Sequence, residues 1–453
     1  MNILFVSAEV APYAKVGGLG DVAASLPKAL AAMGHEVRVI TPDHGGRQKR
    51  ERRGKRVALT VPAFGRNEPL TVIQRSGPAP VYLLANVHFF GRDAVYGQPD
   101  DLYRYHFFCL AVQTLLQQWD WVPDIVHCND WHTGLLPFGL RNLAWSNPAF
   151  GRTASVFTIH NLAYRGPDDL TDIMTQAIYY ADAVSTVSPT YAREIATWEH
   201  GHGLDPLLRL RADHLYGILN GLDLDVFDPG HDQALAATFG PANVRRKAQN
   251  KAALQRKFGL STDAGRPVVG VVSRIDYQKG TDLLAEVLER GVTELNLQFA
   301  VIGSGDGDLE QQLKTAAAPF KRSVGLLKGY HPDAASLVYG GSDLFLMPSR
   351  SEPCGLGQLI AMRYGSVPVV RRTGGLADTV TDVAADPVAG TGFVFDEYDV
   401  DACFGALTRA TAAFEDAPAW DALRRRIMQV DHSWNRSAQE YVAMYQRVLD
   451  EKR

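Results

Sequence analysis

The sequence predicts an α/β protein with two doubly wound, Rossmann-like parallel sheets that follow one another along the chain. At 453 residues the chain exceeds what one hydrophobic core usually supports, so two domains are the simplest expectation. Short β-branched runs alternate with helical patterns, as they do where crossover helices connect parallel strands. Because this alternation restarts at residue 267 after a polar stretch, we expect a first domain over residues 1–228 and a second over residues 229–435.

The first series opens with a βαβ pattern. It comprises a strand at 2–8, an amphipathic helix at 20–34 that ends in Gly34, and a strand at 36–41. A helical pattern covers 102–119, and further apolar runs of strand length lie at 80–85, 124–129, 155–160, 183–188 and 215–220. We therefore expect a parallel sheet.

The second series has the same design, with strand-like runs at 267–273, 297–303, 323–329, 343–349, 367–371 and 392–395. A long amphipathic pattern at the end of the chain predicts a helix over 436–453 that packs back on the first domain. Ligands of open α/β sheets bind outside the carboxyl ends of the strands. Polar residues just after strands are therefore the candidates for a functional site.

Composition and charge indicate an ordinary globular protein. Apolar residues make up 46% and charged residues 21%, and the net charge of −4 gives no general reason to bind nucleic acid or an anionic membrane. We find neither a signal-peptide pattern nor an apolar run of about 18 residues. The cysteines show no CxxC spacing and suit a reducing compartment, so we expect a cytoplasmic protein.

The stretch KVGGLGDV contains the first candidate anion site. Gly17 and Gly18 have no Cβ, so their N–H groups can approach a phosphate, and Lys15 adds a full positive charge. A tight loop with a surface lysine and an N-capping Asp21 explains the same spacing. The dinucleotide pattern GxGxxA also fits from Gly18, but the segment EVAPYAKVG separates it from the preceding strand.

Two loops of the second domain contain the strongest candidates. Arg274 and Lys279 follow a strand in VVSRIDYQKG and could neutralise a diphosphate leaving group in place of a metal; the alternative is a pair of surface cations. Glu352 lies in SRSEPCGLG before a helix, where it could face a sugar or act as a helix cap. Gly374 and Gly375 then repeat the pattern of a strand, a glycine pair and a helix, and offer further N–H donors.

Two strands of the first domain end in polar residues. Asp130 and His132 follow one strand, and His160 and Asn161 end the next. Histidines in such positions are more often structural than catalytic, and strand-end placement is what supports a functional role here. The sequence has no HExxH motif, paired CxxC motif, P-loop or GxSxG elbow, so neither a metal nor a cofactor is predicted.

Together these stretches resemble bacterial glycogen synthases and plant starch synthases, in the same order from residue 1 to about residue 445. The resemblance rests on KVGGLGDV, HCNDWHTGL, TIHNLAYRG, AVSTVSPTYAREI, ILNGLD, VVSRIDYQKG, PSRSEPCGLGQL and VVRRTGGLADTV. It implies the GT-B glycosyltransferase fold, with two Rossmann-like domains facing across a cleft that closes on the donor. It also implies metal-free, retaining transfer of glucose from ADP-glucose to the nonreducing end of an α-1,4-glucan.

The resemblance also implies roles for individual residues. Arg274 and Lys279 match the pair that stabilises the departing diphosphate, Glu352 matches the carboxylate beside the glucose, and His160 matches a sugar-contacting histidine. These four are the expected catalytic residues. Tyr330 matches an aromatic residue that stacks on adenine. The remaining expected substrate-binding residues are Lys15, Gly17, Gly18, Asp21, Asp130, Asn161, Asn220, Cys354, Gly355, Leu356, Gly357, Gly374 and Gly375.

The chain departs from this family in three places. PDDLTDIMTQAI replaces a longer acceptor-side segment, Gly357 stands where a hydroxyl or amide side chain is common, and Ser351 stands where an aromatic residue is common. The shortened segment leaves open a related retaining glucosyltransferase with a small or short-oligosaccharide acceptor. A noncatalytic nucleotide-sugar-binding protein, a nicotinamide oxidoreductase and a UDP-glucose donor are further alternatives.

Overall fold

The computed structural model describes residues 1–46, 54–166, 172–329 and 331–452, which divide into two units. The first unit contains Met1–Gly221 together with Ser433–Arg453, and the second contains Leu222–His432. Their division thus falls between Gly221 and Leu222 rather than between residues 228 and 229. Leu222 packs with Leu235 and Phe239 in a core of the second unit, and its N–H group donates to the His432 carbonyl.

The first unit is built on one sheet, whose described strands run in the order β3-β4-β5-β2-β1-β6-β7-β8-β9. Its strands are β1 Asn2–Val6, β2 Glu36–Pro42, β3 Lys55–Ala63, β4 Arg66–Arg75, β5 Val81–Ala85, β6 Ile125–Asn129, β7 Ala154–Ile159, β8 Ala183–Thr186 and β9 Leu215–Gly217. Its helices are α1 Gly18–Ala32, α2 Val87–Phe90, α3 Asp101–Gln118, α4 Leu136–Ser146, α5 Ile173–Tyr180, α6 Pro189–Glu194 and α7 Asp205–Leu210.

One edge of this sheet differs from the expected parallel arrangement. Strands β3 and β4 form an antiparallel hairpin, and β4 also pairs antiparallel with β5. Phe64 and Gly65 both have positive φ angles in the hairpin turn, as tight hairpin turns require. The edge strand β3 is mostly exposed and contains Pro62, a residue that sheets accommodate at their edges.

The second unit contains a sheet that is parallel throughout its described strands, in the order β12-β11-β10-β13-β14-β15. The strands are β10 Val268–Val272, β11 Gln298–Gly303, β12 Val324–Lys328, β13 Leu344–Met347, β14 Val367–Arg371 and β15 Phe393–Phe395. The helices are α8 Lys247–Lys257, α9 Thr281–Thr293, α10 Gly307–Ala317, α11 Pro332–Gly341, α12 Gly357–Arg363, α13 Gly374–Thr379, α14 Val400–Glu415 and α15 Ala417–Met428. Both units confirm the predicted α/β class.

The last helix, α16 at Trp434–Glu451, belongs to the first unit. Trp434, Ala438, Tyr441 and Tyr445 recur at three- and four-residue spacing and are buried against Ile3 and other residues of that core. The helix begins two residues before the expected position 436. Among the described residues, no helix combines the length and apolar character needed to cross a membrane.

Candidate active site

Lys279 and Glu352 form an ion pair between two loops that follow strands of the second unit. Lys279 Nζ lies 2.7 Å from both Oε1 and Oε2 of Glu352, and Ser349 Oγ donates to Oε2 at 3.1 Å. Glu352 is only 4% exposed. Taking a carboxylate out of water is costly unless charges and donors compensate it, and Lys279 and Ser349 supply both.

Glycine allows these two loops to approach each other closely. Gly280 has φ +71°, and a Cβ there would collide with the carbonyl oxygen of Pro348. The Arg350 N–H group donates to the Gln278 carbonyl at 2.9 Å and ties the loops together. The loop after β10 is itself shaped by Asp276 Oδ1, which accepts the Lys279 N–H group at 2.8 Å. The backbone therefore places Lys279 at Glu352.

Arg274 lies in the same loop but has different neighbours. Its guanidinium group is 3.1 Å from Asp276 Oδ2 and donates to Gln278 Oε1 at 3.2 Å. Half of its side chain is exposed, whereas that of Lys279 is 19% exposed. The loop thus presents one accessible and one largely buried cation.

The glycine pair after β14 serves close packing in this structure. The Gly375 N–H group donates to the Glu352 carbonyl at 3.0 Å and to the Pro353 carbonyl at 3.1 Å. A Cβ on Gly374, whose φ is +44°, would collide with the Glu352 carbonyl oxygen. We had predicted that the Gly375 N–H group would face a phosphate. In the structure it is directed instead at the loop that contains Glu352.

The segment between Glu352 and helix α12 is held by Gln358. Its Nε2 donates to the carbonyls of Cys354 and Gly355 at 3.1 and 3.0 Å. Cys354 is buried, and Leu356 is the N-cap of α12, which begins at Gly357. A Cβ on Gly357 would lie 3.2 Å from the Phe345 ring and 3.3 Å from Met347 Sδ, which gives a packing reason for glycine at this departure.

In the first unit, a buried carboxylate occupies the N–H groups of the glycine loop. Glu9 Oε2 accepts from Val16 and Gly17 at 2.5 and 3.0 Å, and Glu9 Oε1 accepts from the Tyr96 hydroxyl. Helix α1 begins at Gly18, two residues before the expected start. The Glu9 carboxylate takes the anion-binding position at the N-terminus of α1. We had predicted that the Gly17 N–H group would face an open phosphate site, and the structure does not place it so.

The charged side chains of the loop pair with each other. Lys15 Nζ lies 2.7 Å from Asp21 Oδ1, and both are partly exposed. Asp21 lies in the first turn of α1 rather than at its N-cap, which is Gly17. Lys15, Val16 and Tyr96 line a cavity of about 350 Å³, so Lys15 remains beside space that a ligand could enter.

Asp130 follows β6 with a positive φ of +54° and an extended ψ of 176°, a combination that non-glycine residues rarely adopt. Its Oδ1 accepts the His160 N–H group at 2.8 Å. Burial raises the pKa of Asp130 to about 7, although hydrogen bonds from the His160 and Asn161 backbone oppose this shift. Strained residues with displaced pKa values concentrate at functional sites, which supports Asp130 as a site residue.

The neighbouring polar residues have distinct roles. His160 Nε2 lies 2.9 Å from Asn129 Oδ1, and burial lowers the pKa of His160 to about 3. Asn161 Oδ1 accepts the Ala163 N–H group at 3.1 Å and shapes the turn after β7. His132 stacks on Tyr96 with ring centroids 4.6 Å apart, which fits the structural alternative for this histidine.

Asn220 follows β9 and is 8% exposed. No group in the described part of the chain donates a hydrogen bond to its buried Oδ1. An orphaned acceptor is unusual in a folded protein and suits a residue that binds a ligand hydroxyl. Tyr330, the predicted adenine-stacking residue, lies outside the described residues.

Comparisons with known proteins match both units. Residues 2–210 match the model of the starch synthase catalytic domain, and residues 255–427 match the model of glycosyl transferases group 1. The chain is 42% identical over 483 residues to a glycogen synthase of Geotalea daltonii, with all of both chains covered. It is 44% identical over 481 residues to a glycogen synthase of Moorella thermoacetica, covering all of this chain and 98% of that relative.

The chain belongs to the glycogen and starch synthase family. It also resembles the solved catalytic domain of starch synthase IV from Arabidopsis thaliana bound to ADP and acarbose, with a TM-score of 0.91, 34% identity and 99% of each chain covered. These findings confirm the resemblance drawn from the motifs and the GT-B fold class. As a member of this family, the protein is a retaining glycosyltransferase.

Sequence reasoning missed four residues that support the family's motifs in this chain: Glu9, Tyr96, Asn129 and Ser349. Glu9 carries a weak signal, because it is an acidic residue three positions after the end of a buried strand. Tyr96 meets Glu9 from 87 positions away in the sequence. No local spacing could have predicted that contact.

Proposed function

We propose that this enzyme transfers the glucosyl group of ADP-glucose to the nonreducing end of an α-1,4-glucan. The relatives are named glycogen synthases, and the Arabidopsis starch synthase was solved with ADP and acarbose. These names support a nucleotide-sugar donor and a glucan acceptor. The bound ADP favours ADP-glucose over UDP-glucose.

The contact between Lys279 and Glu352 carries the chemical part of the proposal. Breaking a glycosyl–phosphate bond builds positive charge on the sugar and negative charge on the diphosphate. Lys279 provides a fixed cation, and the buried Glu352 carboxylate provides a fixed anion. Preorganised charges of this kind stabilise a transition state without solvent reorganisation. We therefore assign Lys279 to the leaving diphosphate and Glu352 to electrostatic support of the sugar rather than to covalent attack.

We assign Arg274 to bind the diphosphate together with Lys279. Its planar guanidinium group can bind two phosphate oxygens at once. Because half of its side chain is exposed, it can turn from Asp276 to an incoming anion at little cost. A diphosphate would then replace carboxylates at both cations of this loop.

In the first unit, we assign sugar binding to the strand-end residues His160, Asp130 and Asn220. The Asn220 oxygen has no partner within the described residues, so it can accept a hydroxyl proton without losing another bond. Lys15 lies beside a cavity and can supply positive charge once it leaves Asp21. Asp21, Asn161, Gly17, Gly18 and the segment 354–357 shape the loops that present these groups.

The proposal is tested by supplying labelled ADP-glucose and UDP-glucose in parallel with glycogen and counting label in precipitated polymer. We expect incorporation from ADP-glucose to exceed that from UDP-glucose. Incorporation from UDP-glucose alone would reject the assigned donor. Release of free glucose without polymer labelling would reject the assigned acceptor.

A second acceptor class follows from the shortened segment at residues 167–178, whose later part lies in α5. The alignment with the Geotalea relative spans 483 positions, whereas this chain has 453 residues. Residues 167–171 of the shortened segment lie outside the described residues. Glycogen and short maltooligosaccharides should therefore be compared at equal concentrations of nonreducing ends. A strong preference for the short acceptor would favour the second class.

A further inference from the structure

Asn129 connects His160 to the centre of the first unit's sheet. It is the last residue of β6 and has no solvent exposure. Its Oδ1 lies 2.9 Å from His160 Nε2. Its Nδ2 donates to the Val6 carbonyl at 2.9 Å and to the His127 carbonyl at 3.4 Å.

These contacts fix the orientation of the Asn129 amide group. The oxygen and nitrogen of an amide are assigned from their hydrogen-bond partners. Two of the partners, the Val6 and His127 carbonyls, can only accept, so the amide nitrogen must face them. The amide oxygen therefore faces His160, and the His160 Nε2 atom must donate the proton of this bond.

The orientation of Asn129 thereby determines the neutral form of His160. A neutral imidazole carries one proton, so a proton on Nε2 leaves Nδ1 as an acceptor. No hydrogen bond to Nδ1 comes from the described residues. Burial keeps the pKa of His160 near 3, so the ring stays neutral at ordinary pH. The backbone of the same residue is held by Asp130 Oδ1, which limits movement of the ring.

We propose that Asn129 is a positioning residue that fixes the proton of His160 on Nε2, so that Nδ1 accepts a hydroxyl proton of the sugar. The inference deepens the proposed function, because it rests on His160 as a sugar-binding residue. Asn129 itself is too deeply buried for contact with the sugar. It acts through the imidazole, as an outer partner sets the tautomer of a histidine elsewhere in proteins.

The test reads the position of the proton directly. The full chain is labelled with ¹⁵N in its histidines, and the His160 signals are assigned by their loss in His160→Ala. We expect the wild-type His160 proton on Nε2, retention of that proton in Asn129→Asp, and loss of the preference in Asn129→Ala. We also expect Asn129→Ala to lower kcat/KM for ADP-glucose about tenfold, as loss of one hydrogen bond typically does.

Asn250→Ala is the matched control. Asn250 is also fully buried, and its amide group bonds the N–H and carbonyl groups of Ala237 in the second unit. Asn250→Ala removes buried side-chain hydrogen bonds, as Asn129→Ala does, and should lower the free energy of unfolding by a similar amount. It does not alter any contact of His160. We expect it to leave both the His160 proton and kcat/KM unchanged.

A wild-type proton on Nδ1 would overturn the proposal, and this measurement needs no folded variant at position 129. An Asn129→Ala enzyme with unchanged His160 signals and unchanged kcat/KM would overturn it as well. Near-normal kcat/KM in His160→Ala would instead reject the sugar contact of the proposed function. That outcome is distinguishable, because the position of the proton on Nε2 could still be as expected.

Discussion

Three cations that we predicted to hold the donor's phosphates are each paired with a carboxylate of the same unit. The pairs are Lys15 with Asp21, Arg274 with Asp276, and Lys279 with Glu352. The first two pairs are partly exposed and are worth about 0–1 kcal/mol each, so a phosphate can displace them easily. The third is largely buried, and separating it leaves a carboxylate that needs a new partner. A sugar that develops positive charge would be such a partner.

We predict that Lys279→Ala lowers kcat by about 10²–10³ while the protein stays folded. The reason is that the fixed cation for the leaving diphosphate is lost and Glu352 becomes an unpaired buried charge. Initial rates with saturating ADP-glucose and glycogen measure the effect, and circular dichroism checks the fold.

Lys328→Ala is the control for this change. Lys328 pairs with Glu310 at 2.6 Å at the end of β12, in the same unit, but we assign it no role in binding the donor. Its removal should leave kcat within about twofold of wild type, since the Lys328 side chain is itself 68% exposed and ion pairs with an exposed partner contribute little. Equal losses in the two variants would contradict a specific role for Lys279.

Asp130 leads to a prediction on pH and stability. The pKa of this carboxyl group is raised from its ordinary value of 3.8 to about 7 by burial. The native state therefore binds its proton more tightly than the unfolded chain. The resulting stabilisation is complete below about pH 4 and is lost as the pH rises to about 7.

Asp130→Asn removes this dependence while it keeps an oxygen that can accept the His160 N–H group. We expect the free energy of unfolding of wild type, relative to Asp130→Asn, to fall by about 1–3 kcal/mol between about pH 5 and about pH 8. Urea unfolding of both proteins at the two pH values measures this difference. A difference that does not change with pH would show that Asp130 titrates at its ordinary value.

At the scale of elements, the buried parallel strands could be predicted, but the hairpin of β3 and β4 could not. Strands β6, β7 and β8 are buried along their whole length and overlap the segments at 124–129, 155–160 and 183–188 that were predicted as strands. Strand β3 also contains apolar residues, but most of its positions are exposed, and its antiparallel pairing with β4 depends on the turn at Phe64 and Gly65 rather than on an apolar pattern. Similarly, the glycine pairs were predicted as binding loops from their spacing. Only the fold shows that Gly375, in the pair after β14, is needed because the Cys354 carbonyl oxygen lies directly beside it.

The residues of the candidate site divide in the same way. Glu352, Lys279 and His160 stand in motifs after predicted strands, and they could be selected from the sequence. Glu9 contacts Gly17, and Asn129 contacts His160. Both contacts exist only in the folded protein. Such supporting contacts depend on which strands are neighbours, and the order of strands in a sheet is not written in local spacing.

We predict that Gly280→Ala distorts the loop that presents Lys279. Alanine at φ +71° costs about 1 kcal/mol or more in backbone strain, and its Cβ would also collide with the Pro348 carbonyl oxygen. The collision should push the loops apart and separate Lys279 from Glu352. We expect kcat to fall at least tenfold, with a lower Tm, in parallel rate and thermal-unfolding measurements.

Gly259→Ala separates strain from collision. Gly259 has a similar φ of +68°, in the same unit, and a Cβ there would meet nothing within 4 Å. This variant should show the loss of Tm that belongs to backbone strain alone and a normal kcat. If Gly280→Ala matched it in both respects, the close approach of the two loops would not matter for activity.

At the scale of the whole molecule, the first unit is formed by two parts of the chain, Met1–Gly221 and Ser433–Arg453. Helix α16 buries one face against the core around Ile3 and Leu26. The Tyr445 hydroxyl oxygen lies 2.6 Å from Nδ1 of His127 in strand β6, so the two groups form a hydrogen bond. The second unit lies between these two parts in the sequence. Folding of the first unit therefore requires residues that are separated by the entire second unit.

We predict that a chain ending at His432 loses the folded first unit and keeps the second. The truncation removes buried side chains that include Trp434, Tyr441, Met444, Tyr445 and Val448. At about 1.5–3 kcal/mol each, their loss approaches the whole stability of a typical domain, about 5–15 kcal/mol. Calorimetry should show loss of the transition of the first unit, whereas the second unit keeps its own core and its buried ion pairs of Asp343 with Lys251 and Arg424.

A chain ending at Asp450 retains all of the buried residues named above and should unfold like wild type. Retention of every wild-type transition in the shorter chain would show that α16 is dispensable, because the first unit would then fold without the face that now covers its core.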